Sequence, residues 1–244
     1  MTQTKSNKYL LINKTIFFPK EGILTFGDLH LGYENLLKNQ GLSIPIKQLA
    51  ETKKELKDVF NILERKNLKI KKIVILGDIK HYFPYKREEG FEVYAFLKFL
   101  DEKIGEENVV IIKGNHDKIE LGKRKYKNYY IKEDIAFLHG DKMFQNILDK
   151  KIKYIIMGHI HPAILLTEGI KKEKYKAYLI GKWKNKTLII APSFHGINEG
   201  TTMNGHYKDI EDFSIVTKKQ LQKFQTFIVG KDKIYAYKKL KEIN

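Results

Sequence analysis

The sequence predicts an α/β fold with a two-sheet core flanked by helices. Three observations predict it. Five short apolar, β-branched runs each end in a motif rich in Asp, Asn or His. Two stretches of helical spacing separate the first three runs, as parallel βαβ crossovers require. After His161 the pattern changes to closely spaced short strands, which read as a second sheet.

Tyr9 to Phe18 and Gly22 to Phe26, separated by Pro19-Lys20-Glu21, read as a hairpin leading into the first motif. Ser43 to Lys66 shows helical spacing at Ile46, Leu49, Leu56, Phe60 and Leu63, with Ser43 as cap and Pro45 in the first turn. Phe91 to Ile104 repeats the pattern at Phe91, Tyr94, Leu97 and Leu100. Later runs, Ala177 to Ile180, Thr187 to Ile190, Phe213 to Val216, Phe224 to Val229 and Ile234 to Tyr237, read as strands, with Gly230-Lys231-Asp232 as a turn.

The five motifs are Asp28-Leu29-His30, Gly77-Asp78, Gly114-Asn115-His116-Asp117, His139-Gly140-Asp141 and Gly158-His159-Ile160-His161. Ligands in open α/β sheets bind beyond the carboxyl ends of strands. Five strand ends carrying such side chains therefore point to one site. Oxygen and imidazole donors suit Mn, Fe or Zn, and the absence of Cys excludes a thiolate zinc site. The set is too large for one tetrahedral ion and fits two ions that share a carboxylate, as in two-metal displacement at phosphorus. Any single His is more often structural than a ligand, but five of the eight His fall inside these motifs. Gly27, Gly77, Gly114 and Gly158 read as turn residues that present the adjacent ligand, and Asp141 as a turn or cap.

The order D-x-H, GD, GNHD, H, GHxH resembles the signature of calcineurin-like metallophosphoesterases over residues 22 to 162. The resemblance implies a four-layer αββα sandwich of two mixed β-sheets packed face to face. It also implies roles by position. Asp28, His30 and His161 would bind one metal, Asn115, His139 and His159 the second, and Asp78 would bridge both. His116 matches the non-ligand histidine that contacts the phosphate or protonates the leaving oxygen, and Asp117 would orient it. The chemistry implied is in-line attack on phosphorus by metal-activated water, with two divalent ions, Mn first and Fe, Zn or Mg as alternatives.

Further details resemble one branch of the family. His81, three residues after Asp78, is similar to the phosphate-fixing histidine of SbcD-type repair nucleases. Lys80 before it, and Asp28-Leu29-His30-Leu31-Gly32-Tyr33-Glu34, are similar to small archaeal SbcD-related phosphoesterases and DNA-ligase-associated bacterial relatives. Ala191-Pro192-Ser193-Phe194, followed by Gly200-Thr201 and Asn204, loosely resembles that group's late loop. The interval from His116 to His139 leaves no room for a cap subdomain, so residues 1–244 are expected to form a single domain without an added DNA-binding unit.

A formal net charge of +17 favours a polyanionic partner, although Lys and Ile richness also follows from genome composition or growth temperature. Lys123-Arg124-Lys125-Tyr126-Lys127-Asn128-Tyr129-Tyr130 starts and ends near the metal rim, and basic residues interleaved with aromatics can grip phosphates and stack on bases. Lys80, Arg124, Lys125 and Tyr126 are thus the candidate substrate contacts, against the competing reading of an ordinary solvated loop. Runs at Lys171 to Lys176 and Lys182 to Lys186 read as solvated hairpin ends. With no Cys, no secretory signal and no apolar run of membrane length, a soluble cytoplasmic protein without a membrane partner is expected. The expected function is hydrolysis of phosphodiesters in DNA by a nuclease of repair or processing, as monomer or homodimer. Family resemblance adds a helicase or DNA ligase as partner. The alternatives are an esterase for small nucleotides and a catalytically weak scaffold subunit.

Overall fold

The computed structural model describes residues 8–42, 47–81, 87–118, 121–197, 199–205 and 214–243. The first sheet runs in the order β1 (Leu10–Ile12), β2 (Thr15–Phe18), β3 (Ile23–Phe26), β4 (Lys72–Ile75), β5 (Val109–Ile111). β1 to β3 form an antiparallel meander, and β3, β4 and β5 are parallel. Helices α1 (Tyr33–Asn39) and α2 (Gln48–Arg65) carry the chain from β3 to β4, and α3 (Arg87–Ile104) carries it from β4 to β5.

The second sheet contains β6 (Tyr129–Lys132), β7 (Ile135–Leu138), β8 (Tyr154–Met157), β9 (Pro162–Glu168), β10 (Lys171–Trp183), β11 (Lys186–Ile190) and β12 (Thr201–Thr202). Its order is β12-β9-β10-β11-β8-β7-β6. β13 (Gln225–Val229) adds to β10, and β14 (Ile234–Lys239) adds to β13. β7, β8 and β11 are parallel neighbours, so β7 and β8 end at the same rim.

Strand alternation explains why the runs are apolar throughout. Val74 and Leu76 face the second sheet, where they join Phe137, Ile156, Tyr178 and Ile189. Ile73 and Ile75 face the other way, onto Leu56, Phe60, Phe96 and Leu100 of α2 and α3. A strand covered on both faces needs apolar side chains at every position. Phe18 and Phe137 meet edge-on between the sheets with ring centroids 5.7 Å apart. Such a contact contributes about 1 kcal/mol beyond its buried area. The outer face of the second sheet is covered by short pieces: α4 (Lys218–Leu221), with a capping box from Thr217 and Gln220, and 3₁₀ turns at Gln145–Leu148 and Leu240–Glu242.

Several expectations need correction. Tyr9 to Phe18 is two strands, because Asn13 takes a left-handed φ of 50° and turns the chain back. α3 does not bury Phe91 and Tyr94, which are 63% and 68% exposed. Val93, Phe96, Leu97 and Leu100 make its buried stripe instead, a cleaner i, i+3, i+4, i+7 set. The cap at Ser43 and Pro45 lies outside the described residues, as does Phe213; Ser214 to Val216 form no strand. β6, β9 and β12 were not expected. Lys176 and Lys186 are not solvated hairpin ends: both ammonium groups are tied to backbone oxygens. Among the described residues, no helix is long and apolar enough to cross a membrane.

Candidate metal centre

The five motifs follow β3, β4, β5, β7 and β8, and their side chains meet at the common rim of the two sheets. The ligand positions are unusual in backbone conformation. Asp28, His30, Asp78, His159 and His161 have φ of 54°, 45°, 48°, 68° and 52°. Side chains other than Gly rarely adopt this left-handed region, and each case costs on the order of 1 kcal/mol or more. Half of such residues in the described chain are thus candidate ligands. The strain is held by pairing the loop backbones to one another. Asp28 N–H donates to Gly77 O at 3.0 Å, His30 N–H to Asp78 O at 2.9 Å, and Leu31 N–H to Ile79 O at 2.8 Å. Gly114 and Gly158 allow the close approach, since a Cβ on either would overlap the carboxylate of Asp78 or Asp28.

Two clusters result. Asp28, His30, Asp78 and His161 form the first, and Asp78, His139 and His159 the second, with ligand atoms in each cluster within 4.8 Å of one another. Asn115 joins the second through its Oδ1, 3.0 Å from His139 Nε2. Asp78 belongs to both: its Oδ2 lies 3.8 Å from His30 Nε2 and 3.4 Å from His139 Nε2. Its Oδ1 accepts the backbone N–H of His116 at 2.9 Å, which fixes the carboxylate plane. The Nδ1–H of His139 donates to Leu76 O at 2.8 Å and so turns Nε2 toward the site.

The donors fit a pair of cations. Asp28 Oδ1 is buried and accepts no hydrogen bond, while Oδ2 takes the His159 N–H at 2.9 Å. His30 Nε2 faces His161 Nε2 at 3.3 Å, and His139 Nε2 faces His159 Nδ1 at 3.0 Å. Two nitrogens each about 2.1 Å from a common ion would be separated by roughly this amount. Burial alone would lower His139, but the charges of Asp78 and Asp28 outweigh it and raise the imidazole to about 10. The carboxylates thus draw a proton onto the very group where a divalent cation would bind. Asp78 is held well below the usual carboxylate range: burial opposes this, and His139 and His30 overcome it.

His81 and His116 stand beside the clusters. The Nδ1–H of His116 donates to His81 O at 2.7 Å, and the two rings stack with centroids 5.9 Å apart. Burial, reinforced by His116, lowers His81 to about 4, so it is neutral at pH 7. Asp117 does not orient His116 directly. Its Oδ1 and Oδ2 accept the N–H groups of Ile79 and Gly114, each at 3.0 Å, so it braces the two loops that carry Asp78 and Asn115. Burial, with the charge of Asp78 adding, raises this carboxyl to about 6.

Of the candidate substrate contacts, only Lys125 is exposed. The Lys80 side chain is fully enclosed. Arg124 is spent on Asp101 and Glu106 at the end of α3 and in the turn after it. Tyr126 packs against the helix-side core, and its hydroxyl is buried without a hydrogen bond. The basic segment is a strap: Lys127 pairs with the end of β5, and Tyr129 and Tyr130 enter β6.

Other residues join the site without having been foreseen. His195 sits 6.0 Å from the His30 ring and 4.9 Å from Tyr33, whose other contact is His81 at 4.7 Å. Gln48 donates from its amide to Leu29 O and His30 O, both at 2.9 Å, and Glu34 takes the N–H of Gln48 at 2.7 Å. Signals existed for Tyr33 and Glu34 within the first motif, and for His195 directly after Pro192-Ser193-Phe194. Gln48 leaves none, because one amide in a helical pattern looks like any exposed residue.

The sequence profile of the calcineurin-like phosphoesterases matches residues 22–163. No curated protein matches the sequence. Among solved structures, the nuclease MPE of Pseudomonas putida is similar with a TM-score of 0.59 at 17% identity, over 93% of this chain and 94% of that one. A conserved predicted phosphoesterase of Streptococcus pneumoniae gives 0.35 at 12% identity, over 88% and 97%. Vacuolar Protein Sorting 29 of Cryptosporidium parvum gives 0.39 at 12% identity, over 88% and 94%. The first is a likeness of fold, and the other two are too distant in shape to carry an argument.

Proposed function

We propose that this chain, which belongs to the calcineurin-like phosphoesterase family, hydrolyses phosphodiester bonds, with DNA ends or flaps in repair or processing as its substrate. Membership makes it a hydrolase of phosphate esters. The observation that carries the diester reading is the character of the side chains beside the two clusters. They are imidazoles, and His81 is held neutral by burial. Arg124 is ion-paired to Asp101 and Glu106, so it sets no fixed cation there, and Lys80 is enclosed, its charge felt at His81 only as a minor addition to burial. A monoester dianion calls for added positive charge, whereas a singly charged diester is matched by neutral hydrogen-bond donors and an acid for its alkoxide leaving group.

Asp28, His30 and His161, with Asp78, would hold one divalent ion, and Asn115, His139 and His159, with Asp78, the other. The ions, when bound, neutralise phosphate charge and activate water at neutral pH, and Mn is the first expectation. His116 keeps a proton at Nδ1 on the His81 carbonyl, so as the imidazolium it would deliver its second proton, from Nε2, to the departing oxygen and be left neutral. His81 orients a non-bridging oxygen. Asp117 and Gln48 keep the loops from yielding.

DNA is favoured over a small diester by the net charge and by Lys113, Lys118, Lys123, Lys125 and Lys127, all exposed on or beside the strap that leaves the His116 loop. The nuclease named for the Pseudomonas putida fold relative agrees in direction, as does the resemblance to SbcD-related enzymes. A second reading, a diesterase for small nucleotides, is favoured by one observation: Arg124 and Tyr126 are withdrawn into the protein, which shortens the grip on a long strand.

The test loads purified protein with Mn²⁺ and compares bis-p-nitrophenyl phosphate, p-nitrophenyl phosphate and end-labelled single-stranded, duplex and flap DNA, with His116→Ala as control. Diester and DNA cleavage, lost in the variant, is the expected result. Turnover of the monoester alone would sink the diester reading. Turnover of small diesters without DNA cleavage would establish the second reading.

A further inference from the structure

Two lysines that the proposed chemistry does not use, Lys14 buried and Lys176 half-buried, lie beside the first ligand loop. Lys176, on β10, has three ammonium hydrogens and meets three oxygens: Ser193 O at 2.9 Å, Ser193 Oγ at 2.7 Å and His195 O. Lys14, in the β1–β2 turn, donates to Phe194 O at 3.1 Å and pairs with Glu55. Three consecutive carbonyls, 193 to 195, are therefore each met by an ammonium group.

The opposite edges of the same peptides reach the site. In a trans peptide the C=O and the next N–H point in opposite directions. The 193–194 peptide gives its oxygen to Lys176 and its N–H to Gly27 O at 2.9 Å. The 194–195 peptide gives its oxygen to Lys14 and its N–H to Asp28 O at 3.2 Å. A cation at the carbonyl end polarises the peptide and strengthens its N–H as a donor. His195 is oriented as well: its Nδ1 accepts the Ile197 N–H at 3.0 Å, which leaves the ring proton on Nε2.

We propose that Lys14 and Lys176 are positioning residues for the first ion: acting through the 193–194 and 194–195 peptides, they fix the Gly27–His30 loop and seat the His195 ring beside His30. The loop needs outside support, because Asp28 and His30 are both left-handed and their carbonyls have no strand partner. Gln48 supplies it for Leu29 and His30, and the lysine clamp supplies it for Gly27 and Asp28. An apolar side chain at 176 would fill the same space and leave two carbonyls without donors.

The inference rests on the metal reading of the site and is independent of which ester is cleaved. Its test is Mn²⁺ binding to the full chain, followed by electron paramagnetic resonance, with His161→Ala assigning which of two dissociation constants belongs to the first ion. Lys176→Met should weaken that ion by about 10-fold or more, in the range found when outer supports of metal ligands are removed, and leave the other unchanged. Lys186→Met is the control: that lysine also clamps two carbonyls, Asp149 O and Ile152 O, outside the site. It should reduce thermal stability without changing either constant. If Lys176→Met does not fold, Lys14→Met probes the neighbouring peptide in the same way. Wild-type affinity at both sites in the lysine variants, equal weakening of both, or the same selective loss in Lys186→Met would overturn the proposal. A wild-type protein that binds two ions but cleaves no ester would defeat the functional reading and leave this one standing.

Discussion

His116 and His81 are joined twice, by the 2.7 Å hydrogen bond from His116 Nδ1–H to the His81 carbonyl and by stacking of their rings. The loop after Asp78 thereby fixes the ring of His116, the proposed acid. His116 also anchors the bridging carboxylate, but through its backbone N–H, which any residue keeps. His116→Ala should therefore reduce turnover by about 10²- to 10⁴-fold, the usual worth of a general acid, and retain both ions. Elemental analysis of the variant checks this, and metal loss would mean that the side chain is a ligand.

Asp78 is the one side chain common to both clusters. Asp78→Ala should bring metal content from two ions toward none, whereas Asn115→Ala should lower only the second. Equilibrium dialysis with Mn²⁺ separates the two outcomes. Full retention of one ion in Asp78→Ala would show that it does not bridge.

Asp117 is a brace, so its loss should be felt in stability as much as in rate. Asp117→Ala leaves the buried N–H groups of Ile79 and Gly114 without acceptors, at about 1–3 kcal/mol each. Denaturant melts should show a loss of about 2–6 kcal/mol, together with weaker binding of both ions. A variant of wild-type stability and metal content, with a changed pH–rate profile, would instead assign Asp117 to His116.

The metal-free protein should be sensitive to acid through its buried imidazoles. Burial, followed by the charge of Lys176, lowers His195 to about 2, and burial lowers His81 to about 4. Each is neutral when folded and takes up a proton when unfolded, so the unfolded state binds more protons below pH 6.5. Stability then falls as pH drops from about 6.5, by up to about 1.4 kcal/mol per pH unit for each such group. His195→Asn should flatten that slope between pH 6 and 4. Denaturation midpoints in chelator across this range measure it, and an unchanged slope would show that His195 is accessible to protons in the folded state.

The candidate ligands were legible as a group because each offers a metal-binding side chain at a strand end, and a strand end is marked in sequence by an apolar run and Gly. The inter-sheet core was legible for the same reason. What supports the ligands was not. Gln48, Lys14 and Lys176 act on backbone carbonyls, and a carbonyl has no signature in sequence. The first half of β10 escaped because its side chains are Lys-rich and exposed or half-buried, and β9 because its apolar run follows the fifth motif directly without alternation, so the pattern that marks a half-buried strand is faint in both. Arg124 misled because its charge pattern was visible while Asp101 and Glu106, which neutralise it, lie far back in the chain.

The order of strands in the second sheet has a consequence for synthesis on the ribosome. All seven proposed ligands have been translated once His161 emerges, yet β8 still lacks β11 on one flank, and the Gly27–Asp28 carbonyls still lack Phe194 and His195. Both arrive some thirty residues later. Contacts of such long range form late. Metal uptake should therefore follow closure of the second sheet, and a nascent chain halted just after residue 162 should carry every ligand and hold no ion, which metal analysis of stalled complexes would reveal.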